Sequence, residues 1–196
     1  LEGPQMNDKE LNLWIDRFIE GDQAAFEVIY GFTKKKVYAT VTMLIRNKED
    51  VNDIVSEVYC QMFKSLPSFD RSRSFSYWLN GIVINQINNW RRQVWRRFRL
   101  WQKHDMLQER RPPELPDEFM IQSEVQQQLI GFIGKLPYKL RVVVLYKYYF
   151  DYSNEEIAEL LQIPVGTVKS RNSLALKQLR QRFGTHLVME VTLKNV

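Results

Sequence analysis

Five consecutive side chains, Lys169–Ser170–Arg171–Asn172–Ser173, can each donate or accept a hydrogen bond. Near the exposed N-terminal half of a helix, such groups address base edges, and an arginine pairs bidentately with guanine. That is recognition chemistry, with no bond made or broken. The elements that must position these residues lie in the stretch Asp151–Phe183. Ser153, followed three residues on by Glu156, predicts a capping box, and Ile157, Leu160 and Leu161 continue at helical spacing. Gln162–Ile163–Pro164–Val165–Gly166 should break that helix, because Pro164 disfavours the α conformation at Ile163 and suits the start of a new helix. Thr167 is expected to open the second helix, with Val168, Leu174 or Ala175, Leu179 and Phe183 inward. A helix, a tight turn and a second helix with a polar front is the geometry that enters a major groove. Two packed amphipathic helices with a solvated face would give the same bare pattern.

A second group of polar side chains lies upstream. Asn80, Asn85, Gln86, Asn88 and Asn89 crowd the helix expected from Tyr77 to about Trp90, whose core positions are Leu79, Ile82, Val83 and Ile87. Asparagine is a poor helix former, so this density calls for a reason. Amides that donate and accept on base edges supply one. An ordinary polar face is the other reading.

The charge distribution points the same way. The chain has 196 residues and a formal net charge of +5. Residues 91–111 hold Arg91, Arg92, Arg96, Arg97, Arg99, Lys103, Arg110 and Arg111 against Asp105 and Glu109 alone, interleaved with aromatic residues. Basic and aromatic side chains together suit a nucleic-acid backbone and its exposed bases. A solvated linker carrying helix-end cations is the alternative.

Other function classes find little support. Cys60 is the single cysteine, so an intrachain disulfide is impossible, and its apolar neighbours predict a buried, inert thiol. His104 and His186 are far apart without a cysteine cluster, so no metal site is expected. No Walker loop, GxSxG or HExxH occurs, and no catalytic residue, cofactor or small-molecule substrate is expected. No apolar run reaches the roughly 20 residues that span a bilayer, so no membrane insertion and a cytoplasmic location are expected.

In chain order, Leu1–Gln5 resembles a cloning or protease-cleavage scar, with the natural start expected at Met6. Leu11, Trp14, Ile15, Phe18 and Ile19 predict a first helix. Ala25, Phe26, Ile29 and Tyr30, then Val37, Val41, Leu44 and Ile45, predict a second. Val51, Ile54, Val55, Val58, Met62 and Leu66 predict a third. Pro67–Ser76 reads as a loop, and Arg111–Pro116 as part of a linker. Val125, Leu129, Ile130 and Phe132–Ile133, then Leu140, Val143, Val144, Tyr146 and Tyr149, predict two helices before the helix-turn-helix. Weak strand-like alternation occurs only in Leu187–Leu193. The expectation is an all-α chain of two small helical domains joined by a flexible linker: 6–93, a linker at 94–120, 121–184, and a tail at 185–196.

The segment NEEIAELLQIPVGTVKSR closely resembles the promoter-binding helix-turn-helix of bacterial RNA polymerase sigma factors, in particular the extracytoplasmic-function group of the sigma-70 family. VNDIVSEVYCQMF and SFDRSRSFSYWLNGIVINQINNWRR resemble region 2 of the same group, in the right order. The resemblance implies a sigma factor that binds core polymerase, places it on promoters and helps to melt them. Asp53 and Glu57, with Tyr38 and Gln61, would dock on the clamp of the largest polymerase subunit. Phe69, Arg71, Arg73, Phe75 and Trp78, with Asn80, Asn85, Asn88 and Asn89, would capture the −10 element, and Arg91 and Arg92 would meet phosphates. Trp78 has a core-anchor alternative. Thr167, Lys169, Ser170, Arg171, Asn172, Ser173 and Lys177 would meet the −35 element. An anti-sigma factor is a further implied partner. Ser173, Leu174 and Leu176 depart from the His-Arg-x-Arg common in the family, as does Asn89 where Asp is usual. The rival from a different class, a helix-turn-helix regulator acting without polymerase, has no use for the region-2 motifs.

Overall fold

The computed structural model describes residues 8–45, 47–101 and 131–183, all of which fall in helices, turns and loops with no strand among them. The chain divides into two compact units, Leu1–Glu109 and Arg110–Val196.

The first unit holds α1 (Asp8–Ile19), α2 (Gln23–Leu44), α3 (Lys48–Ser65) and α4 (Phe75–Trp101). Each junction has a local cause. Gly21 at φ 96° takes the left-handed conformation that lets α1 end, and Asp22 caps α2 by accepting from the Ala24 N–H at 2.9 Å. Asn47 caps α3 in the same manner, through Glu49 N–H at 3.3 Å. A 3₁₀ turn at Leu66–Ser68, with Pro67 inside it, leads into the loop before α4. Leu11 and Ile15 of α1, Ala25, Ile29, Val37 and Val41 of α2, Val51, Val58 and Met62 of α3, and Leu79, Val83 and Ile87 of α4 form the core. Deeper in, Thr33 donates to the Ile29 carbonyl at 2.8 Å and its hydroxyl lies 3.1 Å from that of Tyr59, whose ionisation burial pushes far upward.

Several expectations for this unit need correction. Phe26 and Tyr30 are exposed, because Ala25 and Ile29 take the inward positions of α2. Cys60 is exposed on α3, between Glu57 and Gln61, while Val58 and Met62 turn to the core. α4 starts at Phe75 and runs to Trp101, past both the expected helix end near Trp90 and the expected linker start at 94. No glycine or proline stands between Trp90 and Trp101 to stop it.

In the second unit, helical residues 131–135 precede α5 (Tyr138–Tyr148), α6 (Asn154–Leu161) and α7 (Val165–Phe183). α5 is buried on all sides from Leu140 to Tyr146 and serves as the hub. Leu136, Leu140 and Val144 pack with Ala175 and Leu179 of α7 in one cluster. Of the two inward candidates on α7, Ala175 is fully buried and Leu174 is exposed. Tyr149, expected in the core, is half exposed at the end of α5, edge-on to Phe150 with ring centroids 5.0 Å apart. The expected linker residues 102–120 and the tail with its strand-like alternation lie outside the described residues.

Candidate nucleic-acid interface

The second unit shows how a recognition helix is held. Ser153 Oγ accepts from the Glu156 N–H at 3.1 Å while Glu156 Oε2 accepts from the Ser153 N–H at 2.7 Å, the reciprocal capping box expected. The hydrogen bonds from Ser153 hold the Glu156 carboxyl below its ordinary value near 4.5. α6 ends at Gln162, which lies in the left-handed region at φ 53°. The Pro164 carbonyl then accepts from the N–H groups of Thr167 and Val168, at 2.8 and 3.2 Å, so α7 opens at Val165, two residues before the expected Thr167.

On α7, Lys169, Ser170, Ser173 and Lys177 are exposed, and Thr167, Arg171 and Asn172 are half-buried. Ser170 turns its hydroxyl to the Thr167 carbonyl at 3.0 Å. Asn172 differs from the rest: its amide donates to the Tyr148 hydroxyl at 3.3 Å, and its Oδ1 is buried. Asn172 therefore fastens α7 to the end of α5, a role no local pattern in the sequence reveals because Tyr148 is 24 residues away.

The first unit builds its loop before α4 from two kinds of contact. Asp70 Oδ1 accepts from both the N–H and the hydroxyl of Ser72, at 2.9 and 2.7 Å, and these bonds keep its carboxyl ionised to lower pH than usual. Beneath the loop, Phe69 meets Phe75 at 5.5 Å and Trp78 at 4.8 Å between ring centroids. Phe69 and Phe75 are buried, so they form the foot of the loop rather than faces offered to a base. Trp78 is half-buried above them, which suits the core-anchor reading and leaves part of its ring accessible. Arg71 also braces the loop, donating to the Phe69 carbonyl at 3.1 Å and pairing with Asp16 of α1 at 2.9 Å. Arg73 keeps a side chain two-thirds exposed, with Asp70 3.8 Å away.

Along α4 the expected amides separate. Asn80 is 6% exposed and belongs to the buried side of the helix, one residue on from Leu79, which removes it from any surface set. Asn85, Asn89 and Arg92 are exposed, and Asn88 and Arg91 are half-buried. Arg92 Nη2 donates to Asn89 Oδ1 at 2.6 Å, so these two exposed side chains, one turn apart, are held together. On α3, Asp53, Glu57 and Gln61 recur every four residues and form one exposed face, while Tyr38 is half-buried on α2. A groove separates that face from the end of α4, with Asp50, Asp53 and Glu57 on one wall and Arg92, Arg96 and Arg97 on the other.

Two family models match in succession, sigma-70 region 2 over residues 32–97 and sigma-70 region 4 over residues 126–179. The chain is 28% identical over 174 residues to the ECF RNA polymerase sigma-E factor of Haemophilus influenzae, covering 85% of this chain and 90% of the relative. It is 29% identical over 170 residues to the ECF RNA polymerase sigma factor SigW of Bacillus subtilis, covering 83% and 91%. The chain belongs to the sigma-70 family, and these relatives are extracytoplasmic-function sigma factors. Its fold matches that of the sigma factor RpoE from Bartonella quintana, solved with the anti-sigma factor NepR, at a TM-score of 0.65 and 18% identity, covering 82% of this chain and 98% of that one. CnrH, solved in complex with the cytosolic domain of CnrY, matches at a TM-score of 0.58 and 20% identity, covering 86% and 94%. Sigma factors are not enzymes in the catalytic sense. No helix among the described residues is long and apolar enough to cross a membrane.

Proposed function

We propose that this sigma factor binds core RNA polymerase through the first unit, carries it to a specific set of promoters, and holds the −10 region open once it melts. The observation that carries this reading is the succession, in one chain, of region 2 with exposed amides on α4 and region 4 with a capped helix-turn-helix. A regulator that acts alone would have no need for the first.

Asp53, Glu57 and Gln61 are assigned to the polymerase clamp, with Tyr38 beside them. The −10 set becomes Arg73, Trp78, Asn85, Asn88, Asn89, Arg91 and Arg92, all carried by α4 except Arg73, whose loop is braced by Phe69, Arg71 and Phe75. In the −35 set, Arg171 reads a base, and Thr167, Lys169, Ser170, Ser173 and Lys177 lie along the groove. Opening duplex DNA costs about 1.4 kcal/mol per stacked step. Stacking of an unpaired base on an aromatic ring returns about 1–3 kcal/mol, so a few captured bases offset several steps. The protein performs no covalent step and works in the cytoplasm, where polymerase is. The Bartonella quintana relative was solved with an anti-sigma factor, and a partner of that kind would keep this chain from polymerase until it is needed.

Run-off transcription tests the reading. Core polymerase with this protein, on a library of promoter fragments from its own genome, should give discrete transcripts that disappear with Arg171→Ala or Asn89→Ala. Tight duplex binding by the protein alone, with no transcript from the mixture, would replace it with an independent regulator.

A further inference from the structure

The polar face of α4 does not end where base reading was expected to end. Asn85, Asn88, Asn89 and Arg92 follow one another at helical spacing, and Trp95, Arg96 and Arg99 continue the same ladder. At 3.6 residues per turn these side chains share one side of the helix. Below it the core positions stop at Ile87, and every described side chain from Arg92 to Arg97 is exposed. The last turns of α4 are thus a spur beyond the core. Residues 91–101 carry five arginines and no acid.

Such a spur is a poor ornament for a free surface. Arg92 and Arg96 stand one turn apart with like charge, which disfavours the helix that carries them. A polyanion along the spur turns that repulsion into attraction. Trp95 adds a second kind of group: it is 56% exposed, and the Arg99 guanidinium lies 4.1 Å from its ring centroid. A cation held against an indole leaves a flat, partly exposed ring beside a positive charge, which matches a base and its phosphate. The acidic wall of α3 faces Arg92 and Arg96 across the groove, but Trp95 and Arg99 are not among the residues that line it.

We propose that Trp95 and Arg99 form a second single-strand site on α4, which stacks an unpaired base of the same DNA strand that Asn85, Asn88 and Asn89 contact, with Arg92 and Arg96 on the phosphates between. The proposal rests on the sigma-factor reading and extends its DNA contact beyond the −10 bases. From Asn88 to Trp95 the helix rises about 10 Å, so the added contact falls a few nucleotides from the amides.

The test uses holoenzyme assembled with the full chain and fluorescent non-template oligonucleotides. One covers the −10 bases alone, and two others extend it by four nucleotides at the 5′ or the 3′ end. One extension should tighten binding to the wild-type protein by about 5- to 150-fold, the range expected for one stacked base. Trp95→Ala should abolish that gain and leave the short oligonucleotide bound as before, while Trp95→Phe should keep most of it. An extension that adds nothing, or a gain that survives Trp95→Ala, would overturn the proposal. A gain lost in Arg99→Ala but kept in Trp95→Ala would also overturn it, in favour of a phosphate contact without stacking. Failure of wild-type holoenzyme to bind even the short oligonucleotide would instead overturn the sigma-factor reading, and this site with it.

Discussion

Asp16 and Arg71 meet at 2.9 Å although 55 residues separate them, and the pair ties the loop before α4 to α1. Arg71 also reaches the Phe69 carbonyl, and its guanidinium lies 5.3 Å from the Phe69 ring, so one side chain holds the loop from two directions. Both partners are partly exposed, and an exposed pair contributes only about 0–1 kcal/mol to stability. Its main effect is on the loop rather than on the fold. Asp16→Ala is expected to slow open-complex formation several-fold while moving the melting temperature by no more than about 4–8 °C, the upper bound that 1 kcal/mol sets. Permanganate footprinting of the −10 region, beside a thermal melt, reads both quantities. Equal losses in the two would show that Asp16 supports the whole unit instead.

The bond between Asn172 and Tyr148 can be measured by a double-mutant cycle. Asn172→Ala and Tyr148→Phe should each destabilise the second unit, by about 0.5–1.5 kcal/mol for a part-buried neutral hydrogen bond. The double variant should lose no more than the worse single one, since both remove the same contact. If Asn172 reads a base instead, −35 binding should fall with Asn172→Ala and stay intact with Tyr148→Phe.

Gln162 sits at φ 53° at the turn between α6 and α7, a conformation that costs a side-chain-bearing residue about 1–2 kcal/mol. Gln162→Gly removes that cost, partly offset by the freedom glycine gains in the unfolded chain. The expected net effect is a stabilisation of about 0.5–1 kcal/mol, seen as a higher melting temperature of the second unit with unchanged DNA affinity. Gln162→Val, which crowds the same backbone further, should go the other way.

The capping box gives a pH dependence whose sign is fixed. The Glu156 carboxyl is held below its ordinary value by its hydrogen bonds with Ser153. Its contribution to stability is therefore fully present above about pH 4.5 and fades as the pH falls through the lowered value. The protection factor at the first turn of α6, which corrects exchange for its intrinsic pH dependence, should fall over that acid window in the wild-type protein. In Glu156→Gln the fall should be absent or much reduced.

How far these contacts can be foreseen depends on their range in sequence. The capping box is complete within four residues, and the core faces of α3 and α4 follow from apolar spacing, so both are legible, whereas Ile19 of the α1 pattern is exposed. Asn80 is separable from Asn85 and Asn89 by spacing: it stands three, four and seven residues before the buried Val83, Ile84 and Ile87, while the other two fall on the opposite side. The number of amides in the helix hides that difference. Arg71 and Asn172 read as DNA ligands for another reason. Their partners, Asp16 and Tyr148, are supplied by other helices, and no local pattern announces them. The continuation of α4 to Trp101, by contrast, is written in the chain, in the absence of any breaker after Trp90.

That continuation makes α4 a measuring rod. It is one helix of 27 residues, about 40 Å long, holding the aromatic foot of the loop, the amides and the spur on a single axis. Adding or deleting one residue between Ile84 and Asn85 would turn everything beyond it by about 100°, carrying the amides off the face they share with Trp78. A change of seven residues would restore that face to within about 20°. Substitutions along α4 can therefore change its groups one at a time, whereas a change in its length turns and shifts every group beyond it together.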